Sequence, residues 1–388
     1  MDARSNPYAP GAGTKPPALT GRDAEIEDFV ILLERLHRGT AGQSMILRGL
    51  RGVGKTVLLN TFEDIAVERG WLSVFKECEE STSLPALVAR HCRRLIEDLK
   101  PGARAIRRLR SVLDRLSTFS VVDPNGFELR FDLRRGTADT DALSDDFVDL
   151  LVGLATAAAE RDRGVVFLFD EVQFIHPAEF GPFVVGLHRI SQKGLPLTCV
   201  AAGLPSLPAL AGEAKTYAER LFTYPTIGPL GREAADEALA RPAWVQKVTF
   251  AKSALALAHE RTRGYPYFIQ EYGKYSWNVA GGARIDRADV ERGGHLAQRA
   301  LDEGFFFVRA ERATAGERKF MRAMAGAGDG PYPVREIVAA MGKRKASQLS
   351  VQRESLIRKG LVYSPRIGSL DFTVPLFADY LRRRFPSV

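Results

Sequence analysis

Eight residues, "GLRGVGKT" at 49–56, constrain this chain more than any other stretch. They follow the apolar run "SMILR" and precede a helical pattern reaching about residue 68, so a strand, a glycine loop and a helix are predicted in direct succession. In the spacing GxxxxGK[ST] each residue type has a task. Gly49, Gly52 and Gly54 let the backbone take unusual φ values and bring N–H groups within reach of phosphate oxygens. The helix behind them presents its positive dipole end to the same anion. Lys55 can span the β- and γ-phosphates, and the Thr56 hydroxyl can bind Mg²⁺. With Val53 and Val57, these are the expected nucleotide-binding residues of the loop.

A second element stands far downstream. "VVFLFDEVQ" has the apolar body of an interior strand and ends in two acids, Asp170 and Glu171. Asp170 is expected to hold the metal-bound water, Glu171 to polarise the attacking one. Phosphoryl transfer to a small-molecule hydroxyl would not need that second acid, so the pair favours hydrolysis over a kinase.

Around these two sites the pattern alternates. Strands are predicted at 44–48, at 71–76, over "GVVFLFDE" and over "LPLTCVAAG", separated by helices at 83–99, 144–161 and 178–192. That order implies a parallel sheet with helices on both faces. Within it, "STFSVVDPNGFELRFDL" alternates Phe127, Leu129, Phe131 and Leu133 after an Asn125-Gly126 turn, which predicts a β-hairpin insertion. After the turn "TYPTIGPLG" only helices are expected, at 231–241, 250–262, 266–279 and 286–303. The last part reads as helices at 314–325, 332–341 and 345–359, a hairpin over "LVYSPRIGSLDFTVP" and the short helix "LFADYLRRRF". That is the plan of a winged helix-turn-helix.

Charge and composition narrow the function. The chain carries a net +8, and residues 311–388 alone hold 15 Lys and Arg against 7 Asp and Glu, so the entire surplus lies in the last fifth. A localised basic face is the footprint of a polyanion partner. The 3 cysteines are scattered without CxxC spacing, which fits a reducing cytosol, and the histidines show no ligand spacing. No apolar run approaches the roughly 20 residues that span a bilayer. The start, "MDARSNPYAPGAGTKPPALT", has no apolar segment of a signal peptide and reads as a flexible tail over 1–20.

With these pieces in order, the chain resembles the AAA+/STAND P-loop ATPases, in particular the archaeal-type ATPases and origin-recognition-like AAA+ proteins, over about 21–388. "LTGRDAEIE" resembles the box that contacts adenine, which makes Gly21, Arg22 and Glu25 its counterparts. "YAERLFTYPTIGPL" resembles the segment that delivers an arginine to the γ-phosphate, and Arg220 falls there. An ordinary ion pair at a helix end is the other reading of Arg220. "TRGYPYFIQEYG" resembles the lid segment, with Pro266-Tyr267 where such proteins often have arginine. The strand "TCVAAGLPSL" ends in Ala202-Gly203 in place of a polar sensor, so that role is empty or passes to Ser206. The resemblance implies an α/β P-loop core at 21–228 with an insertion at 101–143, a helical lid at 229–304 and a winged helix at 305–388. It further implies ATP and Mg²⁺ as ligands, ATP hydrolysis, a cytoplasmic location without a membrane role, and a homo-oligomer or protein partner, while the departures at Ala202-Gly203 and Pro266-Tyr267 point to slow turnover.

In the C-terminal part Leu349, Leu356 and Ile357 are assigned to the core. Gln348, Gln352 and Arg353 would then face base edges. Lys343, Arg344 and Lys345 before that helix, Arg366 at the wing tip and the run Arg382–Arg384 would meet phosphates. Docking of a protein partner, without DNA, is the alternative. A second basic set lies at 88–116; a solvated helical face is the simpler account of it.

Overall fold

The structure, a computed structural model, describes residues 1–11, 13–79, 82–99, 139–205, 207 and 218–385. The hairpin expected at 117–133, the basic run at 104–116 and Ser206 lie outside these residues.

The core is a five-stranded parallel sheet. Its strands are β1 (Ser44–Arg48), β2 (Leu72–Glu77), β3 (Val165–Asp170), β4 (Leu197–Gly203) and β5 (Phe222–Thr223), in spatial order β2-β3-β4-β1-β5. Buried strands of this kind show no polar face, yet their period of two still sorts side chains between two helix layers. Along β3, Val165, Phe167 and Phe169 join the cluster built on the helices Leu84–Leu99, Asp139–Ala159 and Pro177–Gln192. Val166 and Leu168 join the opposite cluster, with Phe29, Phe62 and the helices Asp23–His37 and Lys55–Glu68. β5 was hidden in the sequence, where the stretch reads as a turn. Only two residues long, it pairs through Ser44–Phe222 and Met45–Thr223, below the length at which alternation is visible.

A helical layer follows, made of Arg232–Val245, Lys252–Thr262, Pro266–Val279 and Arg287–Ala300. Two short strands, β6 (Thr249–Phe250) and β7 (Arg284–Ile285), pair within it. The first residues of the chain pack onto this layer. The Met1 ammonium donates to the Ala280 carbonyl, Trp277 Nε1 to the Asp2 carbonyl and the Tyr8 hydroxyl to the Leu239 carbonyl. Tyr8 is buried, and a Cβ on Gly273 would sit 2.6 Å from its ring. The described part of 1–20 is thus a packed strap, not a free tail. Its few anchors (one tyrosine, one asparagine, the terminus) form no periodic pattern that a Pro/Gly-rich sequence would reveal.

A π-helix, Leu301–Phe306, and the short helix Phe307–Glu311 lead out of this layer. Beyond them lie the helices Ala315–Gly326, Val334–Ala340, Ser350–Arg358 and Phe377–Arg384. They surround an antiparallel sheet of β8 (Tyr332–Pro333), β9 (Val362–Tyr363) and β10 (Ser369–Phe372), in order β8-β10-β9. The helix expected over 345–359 is broken into a 3₁₀ turn, Ala346–Leu349, and the helix Ser350–Arg358. Ile357, assigned to the core, is 38% exposed, whereas Leu349 and Leu356 are buried as expected. The break changes the phase of the helix, which turns Ile357 outward. Phe268 from the helical layer and Phe306 from the π-helix belong to the C-terminal core, where Phe306 stacks 5.4 Å from Tyr380. The boundary expected at 304 therefore falls inside a shared aromatic cluster.

Candidate nucleotide site

β4 lies between β1 and β3, so the loop after β1 and the acids after β3 face each other across its carboxyl end. Such an end of a parallel sheet is where a crevice opens. Gly54 has φ 96° and opens the helix Lys55–Glu68, turning the loop in a way a side chain would resist. Gly49 is required for space: a Cβ there would lie 2.2 Å from the Ile227 carbonyl oxygen. Lys55 is buried, and its Nζ donates to the carbonyls of Gly49 at 3.0 Å and Leu50 at 2.9 Å. Burial holds its pKa below the usual lysine range, against the pull of Glu171 and Asp170. A polyanion in the loop would reverse that penalty.

Thr56 Oγ1 donates to Asp170 Oδ2 at 2.5 Å. Burial raises the Asp170 pKa, the Thr56 hydrogen bond lowers it and the neighbouring Glu171 raises it. A buried carboxylate beside a hydroxyl, held by hydrogen bonds from Thr56 and the Glu171 N–H but in no ion pair among the described residues, suits a divalent cation. Magnesium therefore fits Thr56 and Asp170, where it would neutralise phosphate charge. Glu171 stands at φ 52°, in the left-handed region uncommon for a side-chain-bearing residue, immediately after β3. Its Oε2 accepts from Gln173 Nε2 and, at 3.5 Å, from Arg51 Nη2.

A cavity of about 420 Å³ joins these groups. Of the residues expected from sequence, Gly52, Gly54, Lys55, Thr56, Val57, Asp170, Glu171 and Pro266 line it. Gly49 and Val53 shape the loop from behind. Arg22 is also behind it: buried, its guanidinium donates to the carbonyls of Val53 and Gly228. It thereby ties the entry of the first helix to the loop. Gly21, at φ 64°, packs against Ala234.

Arg220 lies elsewhere. Its carbonyl accepts from Gln43 Nε2 at 2.9 Å, and Phe222 beside it pairs with Ser44 at the beginning of β1. That is the end of the sheet opposite the loop, separated from it by the five residues of β1, about 3.3 Å each.

Sequence reasoning missed several lining residues: Ala9, Pro10, Thr14 and Pro16 of the strap, Arg51, Gln270, Phe305 and Arg309. Arg51 was legible as the second cation of the loop, beside Lys55. Arg309 carries no local signal, because only the fold brings it here.

The expected DNA-facing residues divide as well. Lys343, Arg344, Lys345 and Arg366 are exposed. Gln348 is not free for a base edge, since its Oε1 accepts from the backbone N–H groups of Arg344 and Lys345. Gln352 and Arg353 are half-buried, and Arg353 Nη2 approaches Glu354. In the terminal run Arg382 is consumed by the Ala325 and Gly328 carbonyls and Asp379, and Arg383 pairs with Asp302 at 2.7 Å. Structural partners thus occupy residues that composition alone presents as a phosphate-binding run.

Residues 18–210 match the AAA ATPase domain family, and residues 303–381 match a domain of unknown function, DUF8462. No curated protein matches the sequence. Among solved structures, the Walker-type ATPase PABY2304 of Pyrococcus abyssi is 15% identical, with TM-score 0.57, covering 94% of this chain and 96% of its own. The RuvB Holliday junction branch migration motor of Thermotoga maritima is 15% identical with TM-score 0.45, covering 96% of this chain and 99% of its own. The Orc1 protein of Aeropyrum pernix, solved in complex with DNA, is 16% identical with TM-score 0.46, covering 95% and 94%. Among the described residues no helix is long and apolar enough to cross a membrane. Over residues 18–210 the chain carries an AAA-type ATPase domain on an α/β P-loop NTPase fold.

Proposed function

We propose that this protein is a Mg²⁺-dependent, slowly hydrolysing ATP switch whose nucleotide state sets its association with double-stranded DNA through a C-terminal winged helix. The observation that carries the coupling is one backbone hydrogen bond, from Arg51 N–H inside the phosphate loop to the Thr373 carbonyl after β10, at 2.9 Å. A rearrangement of the loop around a triphosphate is thereby felt directly by the C-terminal module. Slow turnover follows from Glu171, which is engaged by Arg51 and Gln173 and must be released before it can orient water. The helix order and β8-β10-β9 sheet support the winged-helix reading, with Arg366 in the β9–β10 turn as the wing and Lys343, Arg344 and Lys345 exposed just before the 3₁₀ turn Ala346–Leu349. Arg220 acts, in this reading, on the nucleotide of a neighbouring copy, since its own lies at the other end of the sheet. The cytoplasm is the compartment in which such a switch would work.

Fluorescence anisotropy of a double-stranded DNA fragment, with ATP and with ADP at low and near-physiological salt, tests the reading. Binding should depend on nucleotide and fall steeply with salt, and Ala at Lys343, Arg344 and Lys345 together should reduce the log–log salt slope by about 3. No binding with either nucleotide would sink the DNA role. A protein-docking role is the second reading, favoured by the outward side chains of Val351 (77% exposed), Ile357 and Ile367 on the same module.

A further inference from the structure

We propose that Arg309, carried by the 303–381 region, is the residue that distinguishes ATP from ADP by donating to the terminal phosphate in the cavity behind loop 49–56. The inference rests on the nucleotide-site reading above and adds to it a contact from outside the ATPase domain. Arg309 sits on the helix Phe307–Glu311, just after the π-helix Leu301–Phe306, and lines the same cavity as Lys55, Thr56 and Glu171. π-Helical turns are infrequent and are often found at functional sites.

Its guanidinium is held by the protein but not neutralised by it. Nη1 donates to the Phe305 carbonyl at 2.7 Å, and the guanidinium carbon lies 3.7 Å from the centre of the Phe305 ring. That ring is in turn stacked 4.8 Å from Tyr267 of the lid helix, whose own start, Pro266-Tyr267, offers no cation. Among the described residues no carboxylate lies within ion-pair distance of Arg309, whereas Arg51 has Glu171. Burial lowers the Arg309 pKa to about 10, and the neighbouring Arg51 adds to that effect. A half-buried guanidinium stacked on an aromatic face, facing another cation and lacking an acid, is poised for an anion.

Position identifies which part of the anion. Arg51 reaches Glu171, and the acid that orients water must face the phosphate under attack. Arg309, next to Arg51, is therefore on the terminal-phosphate side, where ADP has nothing to offer. Binding of ATP would anchor the 303–381 region to the core through this side chain, and loss of the γ-phosphate would release it.

The test compares affinities for ADP and for the non-hydrolysable β,γ-imido analogue of ATP, with Mg²⁺, in the wild type and in Arg309→Gln. The variant should lose about 10- to 100-fold for the triphosphate, the span of one charge-assisted hydrogen bond, and less than about twofold for ADP. Equal losses for both ligands, or none, would overturn the proposal and leave Arg309 as a packing residue on Phe305. Should Arg309→Gln fail to fold by circular dichroism, Arg309→Lys serves. A point charge replaces the fork imperfectly, so a several-fold, triphosphate-only loss is expected, and an unselective result counts against the proposal. A wild type that binds neither ligand would instead refute the nucleotide site itself.

Discussion

The amide of Arg51 and the carbonyl of Thr373 meet at 2.9 Å, joining the phosphate loop to the C-terminal module. Beside this bond, a Cβ on Gly360 would lie 2.9 Å from Arg51 Nη2.

Gly360 and Gly342 make a matched pair for testing this contact. Both follow a helix with positive φ, 62° and 66°, but a Cβ on Gly342 meets nothing within 4 Å. Each replacement by alanine should cost about 1–2 kcal/mol of stability from left-handed backbone strain. Only Gly360→Ala should also change nucleotide affinity or turnover, because only it presses on Arg51. Identical nucleotide behaviour in both variants, by calorimetry and phosphate release, would count against coupling.

Lys55→Ala should abolish ATP binding in titration calorimetry, removing the only buried ammonium in the loop. Glu171→Gln should bind ATP with near wild-type affinity yet lose turnover by about 100-fold or more, the range for a positioned general base. Rapid phosphate release by Glu171→Gln would remove Glu171 from that role.

Stability of the C-terminal module should fall in acid. Burial tends to raise the Glu317 pKa, but hydrogen bonds from Lys359, Ser355 and the Thr314 N–H outweigh it and bring it from 4.5 to about 2. A folded-state pKa below the unfolded one means that ionised Glu317 stabilises the fold above pH 4.5, and the gain disappears as pH falls toward 2. Glu317→Gln should therefore flatten that acid limb in thermal melts between pH 2 and 5. At neutral pH it should cost about 1–3 kcal/mol, since Lys359 loses the partner it meets at 2.6 Å.

If Arg220 serves a neighbouring copy, specific ATPase activity should rise with protein concentration. Mixing Arg220→Ala with Lys55→Ala should then restore activity that neither has alone. Inactivity of every mixture, with the wild type active at all dilutions, would return Arg220 to an ordinary helix-end residue.

Much of the core was legible because its signals are local. The loop 49–56 carries its own turn chemistry, and β3 announces itself by an unbroken apolar run ending in Asp170-Glu171. Helix periodicity similarly located Pro266–Val279 and Ala315–Gly326 to within a residue or so. The two-residue β5 and the strap through Tyr8 were not legible, since neither is long enough to show a period. Counting charges also misjudged Arg382 and Arg383, whose partners include carbonyls and acids that folding brings near, and residue type alone misjudged Gln348, which caps the backbone just before it.

By itself the sequence marked a candidate site for a triphosphate and its metal, because phosphate cradling needs glycine, lysine and threonine at short, fixed spacings, and the partner acid is announced by the apolar strand it ends, however far along the chain. The tertiary structure alone decided what else faces that site. Arg309 and the Thr373 carbonyl arrive from distant segments around a shared aromatic core, and the strap arrives by packing Tyr8 into the helical layer, none of them by a pattern along the chain.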